Sequence, residues 1–186
     1  MYSLRVFPKP RDIDSEPALY DAAIKILTRR AHSVSEMKKA LIRRTADEAL
    51  IQKVLSRLKQ NGLVDDARYA QQFARQRTLL RKQGRFRVAR ELRARGVPDR
   101  HIEPALAAAA AETDESLVVR QRIERKLKFL TSSPAATRLD DKKIASIYRS
   151  LLRAGFSSDT IRGELRRLTA SDPPEIELSS DTPSGE

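Results

Sequence analysis

The strongest constraint on this chain is an apolar spacing that recurs three times. Leu92, Gly96, Ile102 and Leu106 return 59 positions later as Leu151, Gly155, Ile161 and Leu165. Shifted 51 positions upstream, the same frame holds Leu41, Thr45, Ile51 and Leu55. One turn before each leading leucine stands another apolar residue: Met37, Val88 and Ile147. A period near fifty residues means a small helical unit built three times and stacked on its neighbours. The expected fold is all-α, with three tandem three-helix units stacked into an elongated modular body. Such a body suits a modular binding surface better than a single catalytic pocket.

Local signals place the boundaries. Residues 1–16 lack apolar periodicity and read as a flexible arm. The first unit, residues 17–66, opens with Leu19, Ala23, Ile26 and Leu27 on one helix face. Ser33-Val34-Ser35-Glu36 reads as a capping box before a second helix, and Asp47 as the cap of a third. Asn61-Gly62 ends that helix, since glycine accepts the left-handed conformation common at helix ends. The second unit, residues 67–111, has Asp65-Asp66 at its entrance as helix-capping acids. Tyr69, Phe73 and Leu80 are expected to face inward, Gly96 to stop a helix, and Pro98 to open the next. Pro104 predicts a kink or a late helix start there, because an interior proline removes a backbone bond. The third unit, residues 112–170, runs as a helix from about Asp114 to Phe129. A loop at 131–134 explains its longer offset. The last helix is capped by Ser157 or Ser158. Residues 171–186, rich in proline and acid, read as a disordered tail.

Charge narrows the function. The 186 residues carry a net charge of +12, which favours a polyanionic partner. Residues 67–111 hold eleven basic against three acidic side chains, while residues 171–186 hold five acids and no base. In the middle unit, Arg68, Arg75 and Lys82 are spaced seven apart, about two helical turns, and so are expected to line one face. Arg77 and Arg81 broaden that face, Arg85 lies in the following turn, and Arg87, Arg90 and Arg93 oppose Val88 and Leu92. These nine cations are the candidate partner- or nucleic-acid-binding residues, since the guanidinium fork bonds two oxygens of a phosphate or carboxylate at once. A solvated helix face would give a similar row. Tyr69, Phe73 and Phe86 interleave with them, but the spacing of Tyr69 and Phe73 favours core packing over stacking on bases.

Catalysis finds no constellation here. The only histidines are His32 and His101, and with no cysteine there is neither a disulfide framework nor a thiolate metal site. A phosphate loop and a nucleophile elbow are missing. No enzyme, cofactor or metal is expected. No apolar run approaches the roughly 20 residues of a membrane helix, and no signal peptide is legible at Met1 to Pro10. A cytoplasmic monomer is expected.

Three segments resemble the RecX family of recombinase regulators. Residues Asp21 to Ser33 resemble its opening helix. Gly62-Leu63-Val64-Asp65-Asp66-Ala67-Arg68-Tyr69-Ala70 resembles its best-known signature, and Glu91 to Val97 resembles its middle-unit helix end. The likeness spans about 19–170, more weakly in the third unit. In place of the family's glycine-proline pair, Gly84 is followed by Arg85. The resemblance implies an all-helical protein of three three-helix units that binds RecA and lies in the groove of the RecA–DNA filament. It further implies restraint of ATP hydrolysis, strand exchange and assisted repressor cleavage, without chemistry of its own. Single- or double-stranded DNA is a further possible partner. The alternative is a helix-turn-helix transcription factor, since Leu92, Gly96 and Ile102 have part of that spacing. The alanine run Ala107 to Ala111 argues against it, because alanine carries no base-reading group beyond its methyl.

Overall fold

The computed structural model describes residues 13–131 and 141–169. The expectations for the arm before Ile13, for the loop beyond Thr131 and for the acidic tail lie outside the described residues. Within them the chain is all-helical. The α-helices are α1 (Glu16–Leu27), α2 (Val34–Ile42), α3 (Glu48–Gln60), α4 (Asp66–Arg75), α5 (Arg85–Ala94), α6 (Asp99–Ala111), α7 (Glu115–Thr131), α8 (Asp141–Arg153) and α9 (Ser158–Thr169). They divide into two compact units, residues 13–76 with 89–109, and residues 77–88 with 110–131 and 141–169.

The recurring apolar positions are the core. Met37, Leu41, Ile51, Leu55, Val88, Leu92, Ile102, Leu106, Ile147, Leu151, Ile161 and Leu165 are all buried. In the first unit, Leu19, Ala23, Met37, Leu41, Ile51, Val54, Leu55, Leu58 and Val64 pack together from α1, α2 and α3. In the second, Val118, Val119 and Ile123 of α7 meet Ile144, Ile147 and Leu151 of α8, then Phe156, Ile161 and Leu165.

Helix ends follow the local chemistry. Ser33 Oγ accepts from the Glu36 amide at 3.0 Å while the Glu36 carboxylate accepts from the Ser33 amide at 3.2 Å, a complete capping box. Asp47 caps α3, Asp65 caps α4, Asp114 precedes α7 and accepts from Leu117, and Ser157 rather than Ser158 caps α9 through the Thr160 amide. Three helices close on a glycine in the left-handed region: Gly62 (φ 65°), Gly96 (φ 72°) and Gly155 (φ 90°). In each, the residue after the glycine donates five residues back: Leu63 to Leu58, Val97 to Leu92 and Phe156 to Leu151. Thr45, at the corresponding position of the first repeat, is not left-handed. There α2 ends on Arg43 in the right-handed region, and the buried Thr45 hydroxyl accepts from the Asp47 amide.

Two expectations are corrected. The proline does not delay α6, which starts at Asp99 and runs through Pro104 on an exposed face. Solvent can reach the carbonyl that the proline leaves without a donor. Nor does α4 continue to Lys82. It gives way after Arg75 to a π-helical turn over Gln76–Leu80. In that wider i→i+5 turn each residue advances by less than the roughly 100° of an α-helix. The inward face is lost, and Leu80 is 77% exposed where Tyr69 and Phe73 stay buried.

Candidate functional site

The π-turn also breaks the row expected of Arg68, Arg75 and Lys82. Arg68 and Arg75 remain exposed two turns apart on α4. Lys82 lies beyond the turn, exposed, with φ 51°, the one non-glycine residue in the left-handed region among those described. A side chain there is disfavoured by about 1–2 kcal/mol.

The nine sequence-selected cations fall into two groups. Arg68, Arg75, Arg90 and Arg93 belong to the first unit, and all four are exposed. Arg93 Nε is held by Asp99 at 2.7 Å, so part of its charge is already answered, although an ion pair this open contributes little to stability. Arg77, Arg81, Lys82, Arg85 and Arg87 belong to the second unit, on a stretch from 77 to 88 that contains no acid. Arg81, Lys82 and Arg85 are exposed there, while Arg77 and Arg87 are half-buried. The Arg85 guanidinium sits 5.8 Å from the ring centre of Phe86, which is 58% exposed. Tyr69 and Phe73 are core residues with ring centres 6.0 Å apart, as their spacing predicts.

The Gly62-Leu63-Val64-Asp65-Asp66 segment has a structural task. Asp65 accepts from the amides of Ala67 and Arg68, and Asp66 Oδ1 accepts from the Val34 amide at 2.9 Å, tying the start of α4 to the start of α2. The segment also lines a cleft of about 320 Å³ with Leu27, Ala31, His32, Arg68, Tyr69 and Gln72.

Sequence reasoning missed two groups. In the first unit, Glu36 accepts from Nη1 and Nη2 of Arg30, at 3.0 and 3.1 Å, and from the Tyr69 hydroxyl at 3.3 Å. Arg95 Nε approaches it at 3.9 Å, and the Arg95 guanidinium lies 4.6 Å from the Phe73 ring centre. Burial raises the Glu36 pKa, but the Arg30 hydrogen bonds, the Ser33 amide and nearby positive charge more than offset it, and the net shift is downward. Burial, then the Glu36 charge, lifts Tyr69 above its ordinary value. In the second unit, Arg120 and Arg167 both hold the buried Glu164, at 2.8 and 3.1 Å. Arg122 of α7 donates from Nη2 to the Arg81 carbonyl at 3.3 Å. Arg120 and Glu164 are 44 residues apart, so no local spacing signals their pairing; only the i, i+3 relation of Glu164 and Arg167 was legible. Among the described residues no cluster of histidine and carboxylate could hold a metal, and no helix is long and apolar enough to cross a membrane.

Two family descriptions match in tandem: "RecX, first three-helix domain" over residues 20–58 and "RecX, second three-helix domain" over residues 65–106. The regulatory protein RecX of Halorhodospira halophila is 37% identical over 78% of this chain and 84% of its own length. The chain belongs to the RecX family. The regulatory protein RecX of a Mycobacterium species (strain JLS) is 35% identical, over 81% of this chain and 87% of its own. The crystal structure of RecX from Lactobacillus salivarius shares the fold with a TM-score of 0.70 at 22% identity, covering 84% of this chain and 97% of that one. All nine candidate cations fall within the match to the second three-helix domain.

Proposed function

We propose that this chain is a cytoplasmic, monomeric regulator that binds RecA and the RecA–DNA filament. It restrains ATP hydrolysis, strand exchange and assisted repressor cleavage by binding alone. The observation that carries this reading is the pairing of RecX family membership with an acid-free basic stretch inside the second matched domain. Arginines there meet a polyanion or an acidic protein face through two-oxygen contacts, and the bound chain opposes movement between neighbouring RecA subunits. That relatives are named regulatory proteins supports a non-enzymatic role.

The transcription-factor reading is weaker. Past Gly96, the exposed positions of α6 are Asp99, Arg100, Glu103, Pro104 and alanines. Such a face offers a groove one cation and little to read bases with.

RecA ATP hydrolysis on single-stranded DNA, with this protein titrated in, tests the reading. Substoichiometric inhibition is expected. Changing the exposed Arg81, Lys82 and Arg85 together to alanine should weaken inhibition and leave thermal stability within about 0.5 kcal/mol per site. No inhibition by the wild-type chain would refute the filament reading. Full inhibition by a folded triple variant would remove those three residues from it.

A further inference from the structure

In the first unit, the turn between α3 and α4 leaves a leucine open to solvent. Gly62, at φ 65°, ends α3, and the Leu63 amide donates to the Leu58 carbonyl at 2.9 Å. The backbone of Leu63 is thereby fixed, while its neighbour Val64 takes the place in the core: Val64 is 3% exposed and Leu63 44%. Asp65 accepts from the amides of Ala67 and Arg68, which sets the start of α4. The cleft of about 320 Å³ beside this turn has apolar walls from Leu27, Ala31 and Leu63.

The polar side of the cleft is unspent. Among the described residues, neither the Arg68 guanidinium nor the Gln72 amide has a hydrogen bond or ion pair, and both line the cleft from exposed positions on α4. The one acid in the lining, Asp65, is committed to the positive end of the α4 dipole. A free guanidinium beside open apolar walls complements a carboxylate next to an apolar side chain. The form of the cleft narrows the occupant further. Its volume is at the lower end of the roughly 300–1,000 Å³ of ligand clefts, and six of its nine lining residues are exposed. A small molecule would be left uncovered there, whereas one or two side chains of a larger partner would be covered by the partner itself. Tyr69, the only aromatic in the lining, is 8% exposed with its hydroxyl on Glu36, so no ring is open to stack on a base.

We propose that this cleft docks an acidic segment of a partner protein. One bulky aliphatic side chain of the segment packs on Leu63, and a flanking carboxylate pairs with Arg68. The proposal rests on the filament reading only for which protein carries the segment, because a synthetic peptide tests the cleft directly.

The test is fluorescence anisotropy with the full chain and the labelled peptide Gly-Asp-Glu-Leu-Glu-Asp-Gly. One control peptide has serine for leucine, and another has asparagine and glutamine for the acids. The wild type should prefer the acidic leucine peptide to either control by about fivefold or more. Leu63→Ser should lose the preference over the serine control and keep that over the amide control. Arg68→Gln should do the reverse. Both positions are exposed, and thermal unfolding checks that the variants fold. A general loosening of the turn would weaken all three peptides alike, so equal losses overturn the assignment. No binding by the wild type at millimolar peptide, or unchanged binding by both folded variants, overturns the site. Labelled oligo-dT held less tightly by both variants, with peptides ignored, would give the cleft to nucleic acid and also overturn it. A wild type that inhibits RecA but ignores the peptides ends this proposal and leaves the filament reading standing. One that shows the crossed preferences but never inhibits RecA upholds the cleft and ends the filament reading.

Discussion

At the scale of single residues, Glu36 does more than close a capping box. Its carboxylate joins the starts of α2 and α4 through Ser33, Arg30 and Tyr69. On the other side of the box, Ser33 Oγ donates to the Arg95 carbonyl at 2.6 Å, bringing in the end of α5. The folded pKa of Glu36 lies below the ordinary 4.5, so the carboxylate form is the one the fold favours. Stability from this group is therefore complete above 4.5 and is lost as pH falls through the lower folded value. Glu36→Gln should cost about 1–3 kcal/mol near neutral pH, since it removes a charged acceptor from several donors. It should also flatten the fall in melting temperature as pH drops below the ordinary 4.5. Thermal unfolding by circular dichroism over that range checks both; parallel pH profiles for variant and wild type would exclude Glu36 as a source of the acid sensitivity. The box itself is legible in four consecutive residues. Its link to Tyr69 and Arg95 is not, because those contacts form only after three helices have packed.

At the scale of elements, the three glycine-ended helices share one backbone device but differ in what surrounds it. A Cβ on Gly62 would meet nothing within 4 Å. On Gly96 it would meet the side chain of Ser35, and on Gly155 the backbone of Arg87 and the Gly84 carbonyl. Alanine at Gly62 should cost only the left-handed penalty of about 1–2 kcal/mol. Gly96→Ala should cost more, and Gly155→Ala most, since backbone yields less readily than a serine side chain. Denaturant unfolding ranks the three, and a Gly62 variant as unstable as the Gly155 variant would contradict the close approach. Periodicity made the stops at Gly96 and Gly155 and the buried Leu92 readable. Leu92→Ala should accordingly cost about 2–5 kcal/mol, as large-to-small core changes do. Periodicity failed at Gln76–Leu80, where the residues carry ordinary α-helical character and no proline or glycine marks the wider turn. That failure put Leu80 on the wrong face and joined Lys82 to a row it does not share. Nor does any local spacing show that Arg122 of α7 will reach the Arg81 carbonyl, 41 residues away.

At the scale of the whole molecule, positive charge is concentrated unevenly. Among the described residues the first unit carries sixteen basic against eleven acidic side chains, and the second seventeen against seven. Residues 171–186 add five acids and no base, beginning just past the end of α9, itself part of the more basic unit. Carboxylates carried on the same chain are expected to compete with any polyanion for those cations. Removing residues 171–186 should therefore raise oligo-dT affinity about threefold or more at low salt. The gain should fade toward 1 M salt, where charges are screened beyond about 3 Å. The deletion removes no residue of the described helices, and the melting temperature is expected to change little. Anisotropy titrations of full-length and shortened chains at two salt concentrations decide the matter. Equal affinity at low salt would mean that the acidic segment does not reach the basic face. A gain that persisted at high salt would mean that it blocks the site by bulk and not by charge.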